Sequence, residues 1–289
     1  QMSGTSIACF TRSEVVPGQL MNEIVDGLLT IGQARDSHEA VLFAASGTGA
    51  VEAMLGSAVS KHDRILVVTN GAYGLRMRDI CASHQLSCDT YGSFGSYPDV
   101  LELEQLFETG KYTHVAMAHH ETSTGMLNPL ENVGALAKRY GLCFMVDAMS
   151  SFGAYPMPLE ELGIDYLVAS SNKCIQGMAG LSFVVFNRSQ LPKLEQQSHG
   201  YYFDLYRQWD YFRQKNQLRF TPPVQVCYAF LEAIRETLEE GVLARHKRYT
   251  RNWELLYEGM KAAGFNAFLP LEHESKILFA LHLGAPLPQ

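Results

Sequence analysis

Two residues in this chain have the types and the spacing for shared chemistry: Asp147, and Lys173 further along. Asp147 closes the apolar run of residues 142–146. Lys173 follows a second apolar run, centred on residues 164–169, at the end of Ser170-Ser171-Asn172-Lys173. Runs of this length read as buried strands, so a carboxylate stands at the end of one strand and an amine just past the end of the next. An amine in a closed, partly desolvated pocket loses its preference for the charged form and becomes a nucleophile toward an aldehyde. A carboxylate held against a ring nitrogen keeps that nitrogen protonated, and the protonated ring draws electrons from a neighbouring C–H bond. These are the demands of pyridoxal phosphate (PLP). The pair therefore predicts a PLP site with Lys173 as the Schiff-base amine and Asp147 as the partner of the pyridinium nitrogen. Taken singly, each reads more simply, the aspartate as a turn or cap residue and the lysine as a surface charge.

The elements that must position them follow in order. Residues 39–45 form an apolar strand that runs into Ser46-Gly47-Thr48-Gly49 and then into residues 50–59, which have helical spacing. A strand, a glycine turn and a helix start offer free N–H groups and the positive end of the helix dipole to a phosphate. A tight turn that merely caps a helix fits the same residues. Tyr73 stands just past the strand of residues 64–69, as a surface for a flat ring or as a core-edge tyrosine. Asp99 reads as the cap of a helix over residues 99–107. The strand of residues 113–118 leads into His119-His120-Glu121-Thr122-Ser123-Thr124. Neighbours on an extended segment point to opposite faces, which disfavours a metal site on His-His-Glu. A polar loop lining the site, from Glu121 to Thr124, is the expectation instead.

A helix over residues 129–140 and a strand over 181–186 complete the alternation. It predicts an α/β fold, a mostly parallel open sheet with helices on both faces. Ligands in such sheets sit beyond the carboxyl ends of the strands. Ser46, Tyr73, Thr122, Asp147 and Lys173 all fall there, which points to one shared site. Residues 196–223 read as aromatic and irregular. Two helices over residues 223–240 and 242–263 are expected, broken at Gly241, and then a strand over 276–283. The expected domain organisation is an N-terminal segment (1–38), a large PLP-binding domain (39–240) and the incomplete start of a small C-terminal domain (241–289), since such a domain would normally run to about a hundred residues.

Composition bounds the function. The chain has 289 residues, 47% hydrophobic and 18% charged, with a net charge of −7. That suits a soluble globular protein and argues against nucleic-acid binding. The basic cluster at residues 245–251 reads as a solvated helix face. Six cysteines without a CxxC pair or a zinc spacing suit a reducing, cytoplasmic compartment. No apolar run reaches the roughly 18 residues of a membrane span. A nicotinamide-binding reading of SGTG fails because the next strand ends on Asn70, not on an acid that would hold a ribose.

Several blocks carry a family likeness: ASGTGAVEAMLGS, NGAYGLRM, HHETSTGMLNPLE, VDAMSSFGAYPM, YLVASSNKCIQGMAGLSFVVF and RFTPPVQ. Together, over about residues 39–283, they resemble the 2-aminoethylphosphonate–pyruvate transaminases, fold-type I PLP enzymes of the alanine–glyoxylate aminotransferase branch. The resemblance implies that the amino group of 2-aminoethylphosphonate passes to PLP and then to pyruvate, giving phosphonoacetaldehyde and alanine. It makes Lys173 the proton carrier as well as the anchor, with Asn172 beside it as a cofactor contact. Ser46, Gly47 and Thr48 become the phosphate cup, and Tyr73 the stacking ring. Thr122 or Thr124 stands where a hydroxyl meets the ring O3′ side. Thr221 resembles a residue that reaches the phosphate of a neighbouring subunit, which implies a homodimer with shared sites. The family's TPGP-type opening segment and its C-terminal substrate-binding arginine are not matched here, and His199 stands where an arginine is usual. Arg12 is the candidate substrate contact. Another fold-type I chemistry (a different amine donor, or a lyase) and a noncatalytic PLP-binding chain are the alternative readings.

Overall fold

The computed structural model describes residues 18–198 and 200–282. Arg12 and His199 lie outside the described residues. The chain opens with α1 (Gly18–Ile31), which buries Leu20, Met21, Ile24 and Leu28 along one stripe. There follow β1 (His38–Phe43), α2 (Gly47–Ala58), β2 (Arg64–Val68), α3 (Ala72–Ser83), β3 (Ser87–Tyr91), α4 (Val100–Glu108) and β4 (His114–Ala118). A small hairpin, β5 (His120–Glu121) and β6 (Met126–Leu127), precedes α5 (Leu130–Tyr140), β7 (Cys143–Asp147), β8 (Tyr166–Ser170) and β9 (Ser182–Asn187). Then come α6 (Leu191–Gln197), α7 (Leu205–Lys215), α8 (Val224–Glu240) and α9 (Val242–Ala262), and last the short pair β10 (Asn266–Ala267) and β11 (Leu281–His282).

Seven strands form one sheet in the order β1-β9-β8-β7-β4-β2-β3. Pairing is parallel throughout β3, β2, β4, β7 and β8, while β9 is antiparallel to both of its neighbours, β8 and β1. Two reversals restore direction, so every strand of this sheet except β9 points the same way. The carboxyl ends of β1, β2, β4, β7 and β8 therefore meet on one edge. Alternate residues of the central strands feed two separate cores, Phe144, Val146, Leu167 and Val185 on one side and Met145, Tyr166, Val168 and Val184 on the other. Burial on both faces is why these strands read as unbroken apolar runs rather than as alternating patterns.

The structure departs from the sequence reading at three places. Residues 196–223 are not wholly irregular: they contain α7, whose start is capped by Asp204 accepting from Arg207 N–H at 2.8 Å. Its aromatic residues lie along an amphipathic helix rather than a loop. The C-terminal strand is only Leu281–His282 within the described residues, paired antiparallel with Asn266–Ala267. The basic cluster on α9 is not all solvated, because Arg245 is 3% exposed. Asp99 does cap α4, accepting from Leu101 N–H at 2.8 Å.

Two close approaches seat α3 on the sheet. Glu121, buried in the hairpin after β4, accepts from the N–H groups of Tyr73 (3.0 Å) and Gly74 (3.3 Å). A carboxylate suits a helix N-terminus, where backbone donors lack partners and the dipole favours negative charge. At Gly74, a Cβ would overlap the carbonyl oxygen of Val68 in β2. Gly74→Ala should therefore push α3 off the sheet and lower stability by about 1–3 kcal/mol, read as a lower urea midpoint with an unchanged slope.

Candidate active site

A cavity of about 390 Å³ opens at the edge where the parallel strand ends meet. Its wall includes Ser46, Gly47 and Thr48 after β1, Tyr73 and Arg76 on α3, Asp147 at the end of β7, and Asn172 and Lys173 after β8. The volume falls in the range of small-molecule sites, ~300–1,000 Å³. Seven of the residues singled out in the sequence thus share one wall.

Each is delivered by a simple local device. Ser46 is the N-cap residue of α2, but its side chain makes no cap hydrogen bond. The helix start and the hydroxyls of Ser46 and Thr48 are thus donors at the cavity wall, suited to an anion. A Cβ at Gly47 would overlap the sulfur of Met149, so glycine lets the turn after β1 close on the turn after β7. Asp147 is 6% exposed. Its Oδ1 accepts from Met149 N–H at 2.9 Å, and Oδ2 has no protein donor among the described residues. Burial pushes its carboxyl up to about 6. The negative charge of Glu121 adds to this, while the Met149 N–H, Arg76 and Lys173 pull the other way.

Lys173 sits in a tight turn. Gln176 N–H donates to its carbonyl at 2.9 Å, and Gly177 N–H donates to Ser171 carbonyl at 2.8 Å. Ser171 Oγ closes the same segment on the carbonyls of Met178 (2.5 Å) and Leu181 (3.0 Å). The desolvated setting expected for the lysine is not provided by the single chain, in which the Lys173 side chain is exposed. The neighbouring thiol of Cys174 is buried, and burial lifts it to about 11.

Other residues go elsewhere. Thr122 is half-buried in the turn of the β5–β6 hairpin. Thr124 is fully buried, is not on the cavity wall, and donates its hydroxyl to Glu121 carbonyl at 3.1 Å. Glu121 does not line the site, since it caps α3. His119 meets Ser151 Oγ at 3.0 Å and His120 donates from Nδ1 to Ser150 carbonyl at 2.9 Å, so His-His-Glu disperses to three different partners. Burial lowers His119 to about 3 and His120 to about 4, which keeps both neutral near pH 7. Thr221 is exposed in the segment between α7 and α8 and is not on this chain's cavity wall.

Arg76 escaped the sequence reading. It donates to Thr48 Oγ1 at 3.3 Å, and its guanidinium carbon lies 5.1 Å from the centre of the Tyr73 ring. The signal was present: Tyr73 and Arg76 are three apart on a helix and so share a face. Their link to Thr48, 28 residues earlier, is visible only in the fold.

Three comparisons with known proteins agree with this architecture. The aminotransferase class-V family matches residues 19–284. The 2-aminoethylphosphonate–pyruvate transaminase of Salmonella schwarzengrund is 42% identical over 271 residues, spanning 91% of this chain and 73% of that relative. The enzyme of the same name from Salmonella typhimurium is 41% identical over the same shares. Among solved structures, an alanine–glyoxylate aminotransferase from Nostoc sp. superposes with a TM-score of 0.88 at 27% identity, covering 93% of this chain and 72% of that one. Pyridoxamine–pyruvate aminotransferase from Mesorhizobium loti shares the fold, with a TM-score of 0.88 at 21% identity, over 96% of this chain and 72% of that one. With its site on one edge of a mostly parallel sheet and a family match along nearly its whole length, the chain belongs to the class-V aminotransferases.

Proposed function

We propose that this protein is a PLP-dependent transaminase that moves the amino group of 2-aminoethylphosphonate to pyruvate. The observation that carries the reading is one cavity wall holding Lys173, Asp147 and an uncapped helix start, in a chain 42% identical to a transaminase of that name. The residues fit PLP. A buried carboxylate with an oxygen free of protein donors suits a protonated ring nitrogen, and the start of α2 suits a phosphate.

When bound, PLP supplies an electron-accepting ring that makes the proton on the amine-bearing carbon removable. Asp147 holds the proton on the ring nitrogen. Ser46, Gly47 and Thr48 hold the phosphate, with Arg76 supplying positive charge beside Thr48. Tyr73 offers a flat face to the ring and Asn172 a further polar contact, whereas Thr122, expected to meet the ring, is not on the cavity wall. Lys173 would anchor the cofactor, and its free amine would take and return the proton at the amine-bearing carbon. The donor's phosphonate is a second anion, and the cavity wall carries two cations, Lys173 and Arg76. Arg12 remains a candidate for that role. We infer a homodimer in which Thr221, exposed on its own chain, reaches the partner's cofactor phosphate and the partner covers the exposed Lys173. Residues 241–289 are read as belonging to a small C-terminal domain, apart from the large domain of residues 39–240.

Protein mixed with PLP should gain a visible absorption band that 2-aminoethylphosphonate removes and pyruvate restores; Lys173→Ala should abolish turnover, and the absence of any band would sink the reading. A panel of amine donors in single turnovers separates this substrate from others.

Asp147→Asn should lower kcat/KM by about a hundredfold or more, in line with loss of a tuned ionisable group. The same substitution should stabilise the cofactor-free chain at pH 8. The folded-state carboxyl titrates near 6, above its unfolded value. Its favourable contribution is present below the unfolded value and lost as pH rises through about 6. The gain in melting temperature from Asp147→Asn should thus be largest above pH 6 and fade toward pH 4.

A further inference from the structure

We infer that Arg245, acting with Tyr249, is a positioning residue for Lys173, and that α9 holds the lysine's turn in place from behind. The inference rests on the PLP reading of Lys173 given above.

Arg245 is 3% exposed, and its guanidinium is spent on four acceptors. Nη1 meets Glu240 Oε2 at 3.0 Å, which offsets the charge. Nε donates to Gly153 carbonyl at 3.2 Å, and Nη2 donates to Cys174 carbonyl at 2.6 Å and to Gln176 Oε1 at 3.2 Å. Gly153 lies in the turns that follow Asp147, and Cys174 is the residue after Lys173. One planar fork thus ties the backbone beyond the carboxylate to the backbone beyond the amine. Lysine, a single point of charge on a flexible stem, could not span these acceptors.

Gln176 is the centre of the arrangement. It has a φ of 65°, in the left-handed region that a residue with a Cβ rarely adopts. Such a conformation persists where its surroundings over-determine it. Here the side-chain amide is held at both ends: Oε1 accepts from Arg245, and Nε2 donates to Tyr249 Oη at 2.8 Å. The backbone N–H of the same residue closes the turn on Lys173 carbonyl. Arg245 and Tyr249 are four apart and share a face of α9. Neither is on the cavity wall. The helix stands beyond the break at Gly241, so a chain segment outside the large sheet sets the backbone from which the amine projects. Reacting groups need support of this kind to hold their geometry.

Hydrogen exchange on the cofactor-free chain is the test. Arg245→Met should speed exchange of the Gln176 and Gly177 amides by about tenfold or more while β2 and β4 keep their protection. In the PLP-loaded enzyme, kcat should fall by about tenfold with little change in KM for the amine donor, and Arg245→Lys should recover part of both effects. Tyr249→Phe, which removes one hydroxyl from a half-buried site, should act in the same direction but more weakly. Gln176→Gly removes both side-chain contacts while easing the backbone, and should also speed exchange at residues 176–177. Should Arg245→Met not fold, these two variants decide. Unchanged exchange at residues 176–177, or an equal rise across the whole sheet, would overturn the inference. Wild-type protein that gains no visible band with PLP would instead defeat the cofactor reading and leave the exchange result standing.

Discussion

The costliest group in the site is the Asp147 carboxylate, almost wholly removed from water at the end of a central strand. Burying a carboxylate penalises its charged form. The chain answers with one backbone N–H, from Met149, and with positive charge at a remove on Arg76 and Lys173. Glu121, held in the neighbouring hairpin, pushes the carboxyl the wrong way. An arrangement optimised for the stability of the chain alone would not place two carboxylates so, whereas a cationic ring nitrogen would reverse the balance at Asp147. The surrounding structure is arranged to tolerate that group, through the parallel strands that carry it to the edge and the turns that bring a helix start without a side-chain cap and an amine beside it.

The tolerance depends on a chain of long-range contacts. Glu121 spends its charge on the start of α3 and so fixes the helix that presents Tyr73 and Arg76. His119 N–H donates to Asp147 carbonyl, which pins the exit of β4 to the end of β7. Ser171 closes the segment that holds Lys173, and Arg245 reaches the same segment from α9. The contacts are to backbone atoms in nearly every case, so they position turns rather than individual side chains.

The strands, their order of alternation and the edge on which Ser46, Tyr73, Asp147 and Lys173 gather were legible in the sequence, because strand-length apolar runs and the residues that end them are local signals. Helix α7 was not, since the aromatic residues of 196–223 disguised an amphipathic stripe. Glu121 and Thr124 read as site-lining residues because the loop is polar. Only the fold shows that the first caps a helix earlier in the chain and that the second is buried against the carbonyl of the first. Arg245 reads as part of a solvated face, since its neighbours are charged and three of its four acceptors lie 69 to 92 residues away in the chain. Local pattern identified what each turn could carry. It could not identify what holds each turn still.

The sulfur of Met149 fills the space that any side chain at residue 47 would need, and it wedges the turn after β1 against the turn beyond the carboxylate. A thioether suits that gap because it is unbranched and apolar. It is also only half-buried. Conversion to the sulfoxide would put a polar oxygen on the thioether that packs against Gly47. The fit of the two turns would thus depend on the oxidation state of a residue that takes no part in acid–base chemistry, and reduction of the sulfoxide would restore it.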